Sequence, residues 1–275
     1  MELIGKCAIV TGGSNGIGKA IAGRLAQNGA NVFLIARTRK FLESASEELE
    51  REARNPSQRF GFFSADVSDR AAVRDAVGAA EAECGPVAVV VNSAGFHRMG
   101  YVEKVPVSDI EDEIRGNYLG TVYVVKEVLP GMIERREGWI LNVSSLAGLK
   151  GIFGYAGYSG AKFAVMGFSE ALRSELLPYG ITVSALCPPD VEVEKLEHYV
   201  EREQPLENAR VSGRAKAIQP EEVARVAIAG MKSGSFIIVP GSSGKLLHLA
   251  NRLAPWAVDG ILNRTIDKAR REREL

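Results

Sequence analysis

The chain carries no formal net charge at neutral pH, because Lys plus Arg and Asp plus Glu each number 34 among its 275 residues. Without a field of one sign there is nothing to gather a polyanion, so nucleic acid is not expected as a partner. Cysteine and histidine are scarce. Cys7, Cys84 and Cys187 form no CxxC pair and share no metal-ligand spacing with His97, His198 and His248. No metal site is expected, and the thiols read as buried and reduced. Runs of eighteen apolar residues are also lacking, and a strand pattern over residues 4–10 stands where a signal peptide would place its basic and apolar regions. The expected compartment is the cytoplasm.

What is present is an ordinary globular composition, 46% hydrophobic, arranged as short apolar runs alternating with longer helical patterns. Strand patterns over residues 7–10, 31–35, 59–65, 86–92 and 139–143 are separated by helical patterns over 16–28, 40–54, 69–83, 107–116 and 118–136. Val87-Ala88-Val89-Val90-Val91 is apolar throughout, as a strand buried on both faces requires. A helix over 158–177 leads to a strand over 181–187, and a helix restarting at Gln219-Pro220-Glu221-Glu222 leads to a last strand over 235–239. With no repeat or linker, residues 1–275 read as one α/β domain: a doubly wound parallel sheet with helices on both faces. Residues 188–217 are irregular and charge-rich, too long for a plain connector, and read as a substrate loop. Residues 244–275 form a helical extension with apolar stripes interrupted by Pro255. The expected partner of those stripes is the body or a second subunit; a bilayer surface is the other reading.

Tyr158 and Lys162 stand four residues apart on a predicted helix, so their side chains share one face. An ammonium beside a phenol lowers its pKa from about 10 toward the working range of a general acid or base. Ser145 precedes the tyrosine by thirteen positions.

Directly after the first strand comes Thr11-Gly12-Gly13-Ser14-Asn15-Gly16-Ile17-Gly18, a T-G-x-x-x-G-x-G turn opening a helix. Glycines allow tight turning and close approach to phosphate, and the helix start offers free N–H groups and partial positive charge. A dinucleotide pyrophosphate is the expected occupant. At the end of the second strand Arg37 stands where an NAD-selective site would place an acid, which favours the 2′-phosphate of NADP(H); Arg39 or Lys40 could add to that charge.

Thr11 to Gly18, Asn92-Ser93-Ala94-Gly95, Asn117, Ser145, Tyr158 and Lys162, in this order, resemble the short-chain dehydrogenase/reductase family over about residues 4–240. The resemblance implies a Rossmann-type sheet of about seven strands, assembled as a homodimer or homotetramer. It implies Asn117, Ser145, Tyr158 and Lys162 as the catalytic set. It implies Gly12, Ser14, Asn15, Gly16, Ile17, Gly18, Arg37, Asp66, Val67, Asn92, Ala94, Gly95, Tyr158, Lys162 and Pro188 around the cofactor. One departure is Pro188-Pro189-Asp190-Val191-Glu192-Val193, where the family has Pro-Gly and then a threonine at the nicotinamide. This segment, with residues 143–148, 158–164 and Gln204-Pro205-Leu206-Glu207, is similar to the 3-ketodihydrosphingosine reductase branch. That implies NADPH-dependent reduction of a long-chain lipid ketone. A reductase of 3-oxoacyl thioesters or another medium-sized ketone is the alternative, and a silent NADP-binding regulator the alternative of another class.

Overall fold

The computed structural model describes residues 2–192, 204–212 and 217–273. Seven parallel strands form one sheet in the order β3-β2-β1-β4-β5-β6-β7. They are β1 (Cys7–Thr11), β2 (Asn31–Ala36), β3 (Phe60–Ser64), β4 (Val87–Asn92), β5 (Gly138–Val143), β6 (Ile181–Leu186) and β7 (Ile237–Ile238). Every inner strand is buried on both faces, which is why the strand patterns run continuously apolar. The chain order reverses between β1 and β4, and in such sheets the crevice at the carboxyl ends of those strands takes the ligand.

Side chains alternate across the sheet and meet a different helix layer on each face. Ala8, Val10, Leu34, Val89 and Leu141 pack against α1 (Gly16–Gln27), α2 (Arg39–Arg51) and α8 (Pro220–Lys232) through Ile21, Leu25, Leu42, Ala224 and Met231. Ile9, Phe33, Val90 and Ile140 meet α3 (Arg70–Cys84), α5 (Gly120–Arg135) and α6 (Ala156–Leu176) through Val73, Ala76, Val124, Val128 and Leu172. Burying each such side chain contributes about 1.5–3 kcal/mol before chain entropy is charged against it. All three cysteines are buried and free, and the fold makes neighbours of Cys7 and Cys84, which hydrogen-bond and hold the Cys7 thiol well above its ordinary pKa.

The expected break near residue 117 is absent. α4 (Val107–Glu113) runs through a π-helical turn (Ile114–Leu119) straight into α5. The irregular reading of residues 188–217 is corrected in part, since α7 (Leu206–Ser212) lies inside it; residues 193–203 and 213–216 of that expected loop lie outside the described residues. The last strand is shorter than its apolar run, with only Ile237 and Ile238 paired to β6.

Pro255 divides the extension into α9 (Ser242–Leu253) and α10 (Pro255–Arg273). α10 packs on the body: Val258, Thr265 and Ala269 are buried, Lys150 pairs with Asp259, and Arg210 of α7 pairs with Glu272. Leu246, Leu249, Leu253, Trp256 and Ile261 remain exposed. Among the described residues no helix is long and apolar enough to cross a membrane.

Candidate active site

The glycine turn after β1 is shaped first by the protein's own backbone. A Cβ on Gly12, whose φ is +64°, would lie 2.9 Å from Ala94 Cα, and one on Gly18 would lie 2.3 Å from the Gly12 carbonyl oxygen. Side chains at either place would therefore push the loop after β4 or the first turn of α1 out of position. Thr11 Oγ1 accepts from the backbone N–H groups of Ser93 and Ala94, both at 3.1 Å, locking the two loops together. Asn15 caps α1, its Oδ1 2.7 Å from Gly16 N, while Ile17 packs against the core. The start of α1 thus presents its partial positive charge at the sheet's switch point.

Arg37, just past β2, is exposed, and among the described residues its guanidinium has no partner. Arg39 differs: it pairs with Glu43 at 2.8 Å and lies over the Phe62 ring. Asp66 closes a turn on Ser68 N at 2.9 Å, and Val67 is buried against Gly120. Asn92 lies within the sheet, donating to Asn142 Oδ1 at 2.9 Å, with its own Oδ1 buried and unpaired. Pro188 is buried and its carbonyl accepts from Leu146 N at 3.0 Å.

Asn117 lies in the π-helical turn, a distortion that recurs at functional positions. Its Nδ2 donates to the carbonyls of Phe96 and Glu113, at 2.8 and 2.9 Å, so the side chain supplies a donor to a helical carbonyl one turn back. Its Oδ1 is buried without a partner and faces the space beside Gly95, where an added Cβ would lie 2.4 Å from it and 3.3 Å from Lys162 Nζ.

Ser144 and Ser145 face different partners. Ser144 Oγ donates to the Lys162 carbonyl at 3.0 Å, tying β5 to α6, whereas Ser145 Oγ accepts from Ala147 N at 3.1 Å and its hydroxyl lies near enough to the Tyr158 phenol to lower its pKa. Lys162 is buried; its Nζ donates to Val143 O at 2.9 Å and lies 5.5 Å from the centroid of the Tyr158 ring. The two side chains do share a face of α6, but the ammonium sits beside the ring.

The expected depression of the tyrosine pKa by Lys162 is not found. Burial pushes Tyr158 up to about 12, the Ser145 hydroxyl pulling it down and the charges of Asp190 and Glu113 pushing it further up. Burial also brings Lys162 down to about 8. Desolvation sets both shifts, with Lys162 buried and Tyr158 half-buried. Tyr158 therefore stands protonated at neutral pH, as a proton donor must.

Two residues at the centre of the site carried no motif. The His97 ring stands edge-on to Tyr155 and Tyr158, with centroids 5.2 and 5.6 Å away. Burial, then the nearby Lys162 charge, lowers the His97 pKa and keeps the ring neutral. Only its place just after the Asn92-Ser93-Ala94-Gly95 loop hinted at this role. Beyond Tyr155 opens a cavity of about 810 Å³ lined by residues that include Tyr101, Ile152, Phe153, Glu207 and Arg270. Its outer wall is α7 and α10, joined where Tyr101 donates to Glu207 at 2.8 Å and Arg270 faces the same carboxylate at 3.6 Å.

The geometry agrees with the likenesses. The family model described as short chain dehydrogenase matches residues 6–204. The chain is 38% identical over 248 residues to a 3-dehydrosphinganine reductase of Danio rerio, 90% of this chain and 74% of that one. It is equally similar, over the same shares, to a 3-ketodihydrosphingosine reductase of Mus musculus. A fatty acyl-CoA reductase of Acinetobacter baylyi is 30% identical over 91% of this chain and 86% of its own. Among solved structures, a variant actinorhodin polyketide ketoreductase with NADPH superposes with a TM-score of 0.75 at 32% identity, covering 85% of this chain and 95% of that one. With a family model over most of the chain and relatives 38% identical over 90% of it, the chain belongs to the short-chain dehydrogenase/reductase family.

Proposed function

We propose that the protein is an NADPH-dependent reductase that converts the ketone of a long-chain sphingoid base, of the 3-ketodihydrosphingosine type, to a secondary alcohol, with residues 1–275 acting as one unit. The observation that carries the reductive reading is the half-buried Tyr158 side chain, kept protonated beside Ser145 at the carboxyl edge of the sheet. Likeness to 3-ketodihydrosphingosine reductases over 90% of the chain supports the substrate.

NADPH, when bound, supplies a hydride to the carbonyl carbon. The residues that would hold it are the turn from Gly12 to Gly18, Asp66 and Val67, Asn92, Ala94, Gly95, Pro188, and Lys162 at the ribose, with Arg37 facing a 2′-phosphate. The orphaned Asn117 oxygen beside Gly95 and the unpartnered Arg37 fit such an occupant. Ser145 and Tyr158 both direct O–H groups at the ketone oxygen, and Tyr158 gives up its proton as charge builds there. Lys162 steadies the resulting phenolate, and Asn117 holds the water through which the proton is replaced.

The test is NADPH oxidation with 3-ketodihydrosphingosine, an acetoacetyl thioester and simple ketones. Preference for the first is expected. Preference for the thioester would return the alternative of a 3-oxoacyl thioester reductase, and NADPH binding without any oxidation would mark a silent regulator.

A second reading concerns α9 and the start of α10. Leu246, Leu249 and Leu253 repeat at helical spacing and continue into Trp256, all more than half exposed, with Lys245 and Arg252 at their margins. Apolar residues bordered by cations suit the surface of an anionic bilayer. Vesicles containing phosphatidylserine should sediment with the protein and shift Trp256 fluorescence to the blue. A doubled mass by light scattering, without vesicle binding, would instead give this face to a second copy.

A further inference from the structure

The proposed substrate carries a group that Ser145, Tyr158 and Lys162 do not address, an ammonium on the carbon next to the ketone. Four carboxylates stand near Tyr158 or along the neighbouring cavity; Glu103 is exposed on the cavity wall, and two of the other three are committed. Glu113 is buried, with its Oε1 accepting from Arg98 N at 2.7 Å. Glu207 is buried between the Tyr101 hydroxyl and the Arg270 guanidinium. Asp190 is different. Its carboxylate makes no hydrogen bond or ion pair among the described residues, it reaches solvent, and its charge is felt at the Tyr158 phenol.

The backbone around Asp190 is held from both sides. Pro188 O accepts from Leu146 N, the residue after Ser145, and Asp190 O accepts from Ile218 N, both at 3.0 Å. Val191 then pairs in parallel with Ile218, while Pro189 lies against the start of α9 at Gly244. Two consecutive prolines restrict φ just before the aspartate. The side chain is therefore presented by a braced segment at the rim of the catalytic corner.

We infer that Asp190 recognises the ammonium of the α-amino ketone, its carboxylate pairing with the nitrogen while the ketone oxygen meets Tyr158 and Ser145. This rests on the sphingoid-base reading above. Ordinary bond lengths put the amine nitrogen of such a ketone about 3 Å from its carbonyl oxygen, so a partner for it must lie close to the tyrosine. A carboxylate partly withdrawn from water and unpaired is unfavourable, and burial does raise the Asp190 carboxyl above the usual range. An incoming ammonium removes that penalty, and a charge-assisted bond forms. A ketone without the amine leaves the carboxylate unpaired, which is a means of rejecting it.

The experiment compares 3-ketodihydrosphingosine with the same chain lacking the 2-amino group, in the wild-type protein, Asp190→Asn and Asp190→Glu. NADPH titration by fluorescence checks that each variant is folded. In Asp190→Asn the ratio of kcat/KM for the amino ketone over the amine-free ketone should fall about tenfold to hundredfold, the range of a lost charge-assisted bond. Asp190→Glu should retain part of that ratio. A ratio unchanged in Asp190→Asn, while the wild type reduces the amino ketone, overturns the role of Asp190 and leaves the reductase reading standing. Failure of the wild type to reduce either ketone overturns both.

Discussion

Around Ser145, Tyr158 and Lys162 most of the visible bonds end on backbone atoms: Lys162 reaches Val143 O of β5, Ser144 reaches Lys162 O of α6, and Asn117 holds the carbonyls of Phe96 and Glu113. Around the outer cavity many of the joints run from side chain to side chain, from Tyr101 to Glu207, Arg270 to Glu207, and Arg210 to Glu272. The corner is thus positioned by the main chain, and the wall by side-chain hydrogen bonds and ion pairs laid over it. Proton transfer needs fixed distances, while admitting and releasing a long chain needs parts that separate at small cost. A mutation in the first region should therefore alter turnover, and one in the second mainly KM and stability.

Tyr158→Phe probes the corner most severely. Turnover should fall about 10²–10⁴-fold, the range of a lost general acid, with NADPH affinity nearly unchanged by fluorescence titration; near-normal turnover would refute the assignment. The pH profile is the next test. Lys162 is charged below its pKa of about 8, and Tyr158 keeps its proton to about 12. The kcat/KM for ketone reduction should accordingly hold through neutrality and decline above about pH 8, up to tenfold per unit, as the lysine loses its charge. A limb that appears only above about pH 10 would make the tyrosine the titrating group.

At the wall, Glu207→Ala removes a buried carboxylate from Tyr101 and Arg270, and should lower unfolding stability by about 1–3 kcal/mol in a urea titration. KM for a long-chain ketone should rise more than kcat falls. If kcat falls alone, the separation between corner and wall does not hold. Arg210→Ala is the mildest, because its pair with Glu272 is largely exposed; a stability change below about 1 kcal/mol is expected by the same titration.

The parts of this arrangement legible in the sequence are those with local causes. Continuous apolar strands give the parallel sheet, and the turn from Gly12 to Gly18 is spelled by its glycines, two of which the structure shows to be forced by backbone contact. Chain spacing alone puts Tyr158 and Lys162 on one face. What was hidden depends on residues far apart in sequence. The π-helical turn at Asn117 arises from its bonds to Phe96 and Glu113, and no periodicity in residues 107–136 marks it. Spacing also could not show that Lys162 is drawn toward Val143 O, leaving burial to set the tyrosine's pKa. α7 escaped notice because its short helical run is dense in polar residues, two of which, Glu207 and Asn208, turn inward.

The joint between Glu207 and Arg270 also has a consequence in time. The sheet's first six strands, the glycine turn and the Ser145, Tyr158 and Lys162 corner are all encoded before residue 190, but the wall needs a guanidinium close to the last described residue. On the ribosome the catalytic corner can be in place while the cavity beside it is still without its outer side. During that interval a cleft lined by both apolar and polar side chains faces water, and emergence of α10 brings Arg270 to its wall.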